Sequence, residues 1–84
     1  MKIAILYFAA VRELVGAERE ELELPPTVRS IADLGAWLEQ ERAPLRDRLS
    51  HVRFAINEEF ADPQDELRDG DVIALIPPVA GGRT

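Results

Sequence analysis

The sequence contains no cysteine, and its 84 residues include a single histidine, His51. Without cysteine the chain forms no disulfide bond, no thiolate nucleophile and no cysteine-ligated metal site. General acid–base catalysis would rest on His51 or on a carboxylate, and a histidine just before a predicted strand is typical of the surface. We therefore expect no metal site and no enzyme that works on its own. The lack of cysteine is compatible with a reducing compartment, and we expect a cytoplasmic location.

The chain is also poor in positive charge, because 10 Lys and Arg residues face 16 Asp and Glu residues and leave a net charge of −6. Nucleic-acid binding needs clustered basic residues that neutralise phosphates, and the basic residues here are scattered. No apolar run approaches the ~20 residues of a membrane-spanning helix. We therefore expect neither nucleic acid nor membrane as a partner.

The stretch Asp69-Gly70-Asp71 superficially resembles part of a calcium loop. An EF-hand loop requires alternating oxygen ligands, glycine at the sixth position and a distal glutamate, and that pattern is absent. A turn before a strand explains the three residues better, with Gly70 supplying a positive φ.

Apolar patterns predict five strands. Two continuous apolar runs, residues 3–8 and 72–76, have strand length. Two stretches in which polar and apolar residues alternate, 20–24 and 52–56, also have strand length, and a short strand is expected near Phe60.

One main helix is predicted in the stretch SIADLGAWLEQER. Ser30 is expected to cap it, and Ile31, Leu34 and Leu38 share one face. Gly35 beside that stripe costs helix propensity and suggests a close approach to the sheet. A chain this short has room for one domain. We predict an α+β fold in two layers, with the helix packed on one face of the sheet.

The C-terminal sequence IPPVAGGRT is the most unusual stretch of the chain. The Pro-Pro pair at 77–78 forces extended backbone after the last strand, so we expect a folded domain at 1–76 and an extended tail at 77–84. The Val-Ala pair can pack against a partner, and the Gly-Gly pair at 81–82 is thin enough to enter a narrow channel. Such a tip could deliver a main-chain carboxylate into another protein's active site. A frayed chain end is the simpler alternative.

Three stretches, LYFAAVRELVG, AINEEF and LRDGDVIALIPPVAGG, together span much of the chain. In combination they resemble the small subunits of molybdopterin synthase, the ubiquitin-like sulfur carriers of molybdenum-cofactor biosynthesis. The resemblance implies a ubiquitin-like β-grasp fold, in which a mixed sheet carries one main helix on one face and ends in an extended C-terminal tail.

The resemblance also implies a chemistry for the tail. An ATP-dependent adenylyltransferase, similar to ubiquitin-activating enzymes, would adenylate the terminal glycine carboxylate, and sulfur would then displace AMP to leave a thiocarboxylate. Two charged carriers would donate their sulfurs to a cyclic pyranopterin monophosphate on the large subunit of molybdopterin synthase, in an expected heterotetramer. The chain would bind no cofactor alone, and the activating enzyme would use the ATP.

By position in the family pattern, Gly82 would be the reactive residue and Gly81 its spacer. The family's reactive glycine ends the chain, whereas here Arg83 and Thr84 follow, so that Gly82 carries an amide that cannot be adenylated. Reaction at Thr84 instead would displace the acyl carbon by about 7 Å, at ~3.3–3.6 Å per extended residue. We therefore expect either that a protease removes Arg83 and Thr84 or that they are an addition to the natural chain.

The resemblance implies a partner-binding surface as well. Phe8, Phe60 and Ile76 fall where the family carries an apolar docking patch, and Arg12 lies beside it. Packing in the protein's own core remains the alternative for the three apolar residues. The stem before the two glycines would complete the surface with Pro77, Pro78, Val79 and Ala80.

Two other functions remain open from the sequence. One is a related carrier that supplies sulfur for thiamine or another sulfur-transfer pathway, or that is conjugated to proteins. The other is a non-catalytic β-grasp interaction module with an inert tail. The stretches FAAVREL and PPVAGG favour the molybdopterin branch.

Overall fold

The structure of the protein is a computed structural model, and it describes residues 1–78. The last strand ends at Ile76, and Pro77 and Pro78 follow it without regular secondary structure. Residues 79–84 lie outside the described residues, and with them the predicted sites Val79, Ala80, Gly81 and Gly82.

Five strands form one mixed sheet. They are β1 (Lys2–Tyr7), β2 (Arg19–Glu23), β3 (Arg53–Ile56), β4 (Glu59–Phe60) and β5 (Val72–Ile76). The order across the sheet is β2-β1-β5-β3-β4; β1 and β5 run parallel, and the other neighbouring strands are antiparallel. The five predicted strands and the mixed sheet are therefore confirmed.

Two helices, α1 (Ala9–Val15) and α2 (Ile31–Glu41), accompany the sheet. The predicted cap of α2 is present, because Oγ of Ser30 accepts a hydrogen bond from the N–H of Asp33 at 3.2 Å. The chain leaves α2 through a short 3-10 helix (Ala43–Leu45) that contains a proline in its first turn. Neither helix in residues 1–78 is long and apolar enough to cross a membrane.

Helix α1 is missing from the sequence prediction, which gives only one main helix. It ends at Gly16, which is left-handed, with φ of 85°, and donates its N–H to the carbonyl of Arg12 at 2.8 Å. The helix has 7 residues and buries only Val11, so the sequence shows almost no helical periodicity there. A helix this short is marginal in water, and α1 depends on its contacts with β1, β5 and the 3-10 helix.

The core lies between the helices and one face of the sheet. Leu34 and Leu38 of α2 are fully buried. Alternate residues of the two central strands point towards the helices and are also almost completely buried: Ile3, Ile5, Tyr7, Ile73 and Leu75. Burial of one such aliphatic side chain stabilises a fold by about 1.5–3 kcal/mol, so this layer is what holds the helices on the sheet.

Gly35 of α2 faces β3, but the approach leaves space for a methyl group. A Cβ at this position would lie 3.7 Å from Cζ of Phe54, which is an ordinary van der Waals contact. Alanine avoids the helix penalty of glycine, so we predict that Gly35→Ala raises the free energy of unfolding by up to about 1 kcal/mol. Urea denaturation measures this change, and a loss of stability would contradict the packing of α2 on β3.

Candidate functional site

The sheet face opposite the helices is apolar at its centre, and we call it the open face. It carries a groove of about 450 Å³ whose apolar lining is Leu6, Phe8, Ala55, Phe60, Val72, Ala74 and Ile76. Since successive strand residues point to opposite faces, these side chains alternate with those of the core. The central strands are thus apolar on both faces, which is typical of strands covered on both sides. Within residues 1–78, helices cover only one side.

Phe8 and Phe60 are the exposed large hydrophobic residues of the described chain, at 43% and 58% exposure. This exposure rules out core packing for both side chains, and Ile76 is half-buried at the same groove. Phe60 pairs with Ala55 across β3 and β4. The guanidinium of Arg53 lies over the Phe60 ring, 3.9 Å from its centroid. Apolar patches of this kind mark interaction sites in soluble proteins, so partner contact at these residues stays the prediction.

The beginning of the tail borders this groove. β1 and β5 end side by side, because Tyr7 pairs with Leu75 in parallel. Phe8 and Ile76 follow these two residues and therefore flank the point where the chain leaves the sheet. Beyond Ile76, Pro77 is half-buried and Pro78 is exposed. A partner that covers the open face would thus also meet the start of the tail.

Arg53 lies at the margin of the groove, next to Ile76 and Phe60, and Arg12 follows Phe8 by four residues in the chain. The N–H of Arg12 donates to the carbonyl of Phe8 at 3.3 Å, which places Arg12 on the first turn of α1. Arg53 lies opposite Ile76 in the β3–β5 register. Both side chains are exposed, and neither forms a salt bridge within residues 1–78. These positive charges stand out on a chain with a net charge of −6.

The floor of the groove is missing from the sequence prediction. The small apolar side chains of Ala55 and Ala74, together with Leu6 and Val72, lie between the predicted patch residues. The continuous apolar runs of β1 and β5 could have indicated them, because every second residue of such a run must lie on the face away from the core. The place of Arg53 beside Ile76 depends on strand pairing, which no local pattern reveals.

The strand order, the parallel β1–β5 pair and the helices on one face define a ubiquitin-like β-grasp domain. Small archaeal modifier protein 1 of Haloferax volcanii has this fold, with a TM-score of 0.80 at 22% identity, over 93% of this chain and 98% of that chain. A complex of subunits 1 and 2 of the molybdopterin-converting factor from Helicobacter pylori contains a chain that is 30% identical, with a TM-score of 0.70, over 98% of this chain and 100% of that chain.

Residues 5–82 match the ThiS family. The molybdopterin synthase sulfur carrier subunit of Chlamydomonas reinhardtii is 38% identical over 84 residues, which cover 98% of this chain and 100% of the relative. The subunit of the same name from Mycobacterium tuberculosis is 40% identical over 83 residues, with coverage of 98% and 99%. The chain therefore belongs to the ThiS family, and the resemblance noted in the sequence is confirmed.

Three side chains, Tyr7, Glu20 and Arg42, form a partly buried hydrogen-bonded cluster at the end of β1, just before Phe8. We call this cluster the brace. The Tyr7 hydroxyl donates to Oε1 of Glu20 at 2.7 Å, and Nε and Nη2 of Arg42 donate to the two carboxylate oxygens at 3.1 and 3.2 Å. Burial alone would raise the pKa of Glu20. The hydrogen bonds from Tyr7 and Arg42, with the positive charge of Arg42, outweigh burial and hold that pKa below its usual value. Burial and the hydrogen bond to Glu20 raise the pKa of the Tyr7 hydroxyl.

We predict that Glu20→Gln lowers the free energy of unfolding at neutral pH by about 1–3 kcal/mol, because hydrogen bonds to a charged group are lost. The pKa of Glu20 is depressed in the folded chain, so its contribution is complete above the unfolded pKa of about 4.3 and is lost as the pH falls through the folded value. The stability difference between wild type and variant should therefore be constant near neutral pH and shrink below about pH 4. Urea denaturation over a pH series measures it, and a difference that persists into strong acid would contradict the brace.

Proposed function

We propose that this chain is the sulfur carrier subunit of molybdopterin synthase and that it carries sulfur as a thiocarboxylate on the carbonyl carbon of Gly82. The observation that carries the proposal is the extent of the family match, which covers residues 5–82 and so ends at the second glycine. The relatives named as molybdopterin synthase sulfur carrier subunits, at 38% and 40% identity over nearly the whole chain, support this member of the family over a thiamine carrier.

The chemistry follows from the weakness of a carboxylate as an acyl donor. Attack of a free Gly82 carboxylate on the α-phosphate of ATP gives an acyl adenylate and releases pyrophosphate. A sulfur nucleophile then attacks the acyl carbon and expels AMP, which leaves the sulfur on the backbone. Because the chain has no cysteine, the terminal acyl carbon is the place where it can hold sulfur covalently. The ATP site belongs to an adenylyltransferase, and this chain alone is not an enzyme.

The open face supplies the docking surface for the large subunit of molybdopterin synthase. Its central strands are apolar on both sides, and within residues 1–78 no helix covers this one. The groove borders Pro77 and Pro78, so a subunit seated on it is positioned to receive the tail and to hold the site where the pterin precursor accepts sulfur. The complex of subunits 1 and 2 of the Helicobacter pylori molybdopterin-converting factor supports such a pairing. Two carriers and two large subunits would form the heterotetramer.

A free carboxylate at Gly82 requires removal of Arg83 and Thr84. We predict that protein isolated from its native host ends at Gly82, and that a fraction has the added mass that results when sulfur replaces oxygen. Intact-mass spectrometry measures both properties. A native chain that always ends unmodified at Thr84 would contradict the carrier function and favour an interaction module with an inert tail.

We predict that Phe60→Ala weakens binding to the large subunit by roughly 2 kcal/mol, in the range of an aromatic hot spot. The folding free energy should change much less, because the side chain is 58% exposed. Isothermal titration calorimetry measures the affinity, and Gln40→Ala is the matched control because Gln40 is exposed on α2, in the helical layer. Equal affinities for Phe60→Ala and wild type would exclude the open face as the docking surface.

A further inference from the structure

The turn between β3 and β4 determines where Phe60 lies. Asn57 and Glu58 form it with φ of 49° and 75°, so both central residues are left-handed, as in a two-residue type I′ hairpin. Phe60 follows two residues later, on a strand of only two residues at the edge of the sheet. Besides the pairing of β3 with β4, the hairpin is closed by the N–H of Ala61, which donates to the carbonyl of Phe54 at 2.9 Å. Few local bonds therefore hold Phe60 in place.

Asn57 joins this turn to β5 by two hydrogen bonds with Val72. Its backbone N–H donates to the carbonyl of Val72 at 2.8 Å. The N–H of Val72 in turn donates to Oδ1 of the Asn57 side chain at 3.0 Å. The side chain thus replaces the backbone acceptor that the chain loses as it turns towards β4. This extends the β3–β5 ladder by one residue beyond the pair Ile56 and Ile73.

The other end of the Asn57 amide is fixed to a buried carboxylate. Nδ2 donates to Oδ1 of Asp71 at 3.0 Å, and Oδ2 of Asp71 accepts the N–H of Arg68 at 2.8 Å. Asp71 is 9% exposed, and its carbonyl accepts the N–H of Ala4 in β1 at 3.0 Å. The Asn57 side chain therefore links the turn to β5 through Val72 and, by way of Asp71, to β1.

We propose that Asn57 is a positioning residue for partner docking: its side chain holds the β3–β4 turn against β5 and so fixes Phe60 on the open face. This role rests on the proposed function of that face. Asparagine suits the position because it tolerates positive φ and offers a donor and an acceptor on one short side chain. Aspartate would lose the donor and place a second carboxylate against Asp71.

Asn57 itself lines the groove. The variant Asn57→Gly tests the proposal, because glycine adopts the same backbone conformation and removes the side-chain hydrogen bonds with Val72 and Asp71. Binding of the full chain to the molybdopterin synthase large subunit is expected to weaken by about tenfold, equivalent to 1.4 kcal/mol. Ser30→Ala is the matched control, since it removes the cap of α2 in the opposite layer. Urea denaturation of both variants separates lost global stability from lost docking.

Two further measurements distinguish positioning from a general loss of stability. In a Phe60→Ala background, Asn57→Gly should weaken binding by no more than about twofold, because residues that act through one another are not additive. Hydrogen exchange of the Ala61 amide should become faster in Asn57→Gly and remain as in wild type in Ser30→Ala, when both are compared at equal global stability.

Full additivity of Asn57→Gly and Phe60→Ala would overturn the positioning role, as would an equal loss of affinity in Ser30→Ala or an unchanged affinity in Asn57→Gly. Failure of the wild-type chain to bind the large subunit would instead contradict the proposed function, and with it any docking role for Asn57. The first set of outcomes leaves the proposed function intact, so the two failures are distinguishable.

Discussion

The parallel pairing of β1 with β5 is the constraint on which the candidate site depends. The two strands come from opposite ends of the described chain, and the register of Tyr7 with Leu75 brings their ends together. Backbone hydrogen bonds thereby place Phe8 and Ile76 at the start of the tail. A shift of either strand by one residue would turn all its side chains to the opposite face. The register that builds the core therefore also builds the open face.

The two faces of these strands differ in what covers them. A chain of 84 residues has room for little more than one core layer, and a domain of this size buries only about 60–65% of its unfolded surface. The helices cover one face, and the apolar groove of about 450 Å³ remains on the other. In the proposed function the sulfur is held on a backbone carbon, so the side chains of the domain need only maintain the fold and bind partners.

Local sequence patterns predict most of the fold, because the strands and α2 depend on apolar periodicity and on the cap at Ser30. They fail for α1, whose stability comes from contacts with distant elements. The site is predictable only in part. The resemblance predicts Phe8 and Phe60 as partner-binding residues, whereas Arg53 and Asn57 become functional candidates only through pairing with β5. Pairing between residues far apart in the chain is a property of the tertiary fold that composition and spacing do not contain.

Left-handed backbone occurs at both ends of the groove. Ala9, directly after Phe8, has φ of 50°, and Asn57 and Glu58, just before Phe60, have φ of 49° and 75°. Alanine and glutamate pay about 1–3 kcal/mol of strain in such sparsely populated conformations and keep them only where the surroundings enforce them, whereas asparagine tolerates positive φ more readily. Hydrogen bonds of Asn57 with Val72 and Asp71 enforce the turn. Ala9 is the first residue of α1, and the N–H groups of Val11 and Arg12 donate to the carbonyl of Phe8 around it. Both exposed phenylalanines are thus presented by backbone held in one conformation. In the proposed docking, such preorganisation reduces the entropy lost when the partner binds, and the backbone strain then serves the function of the open face.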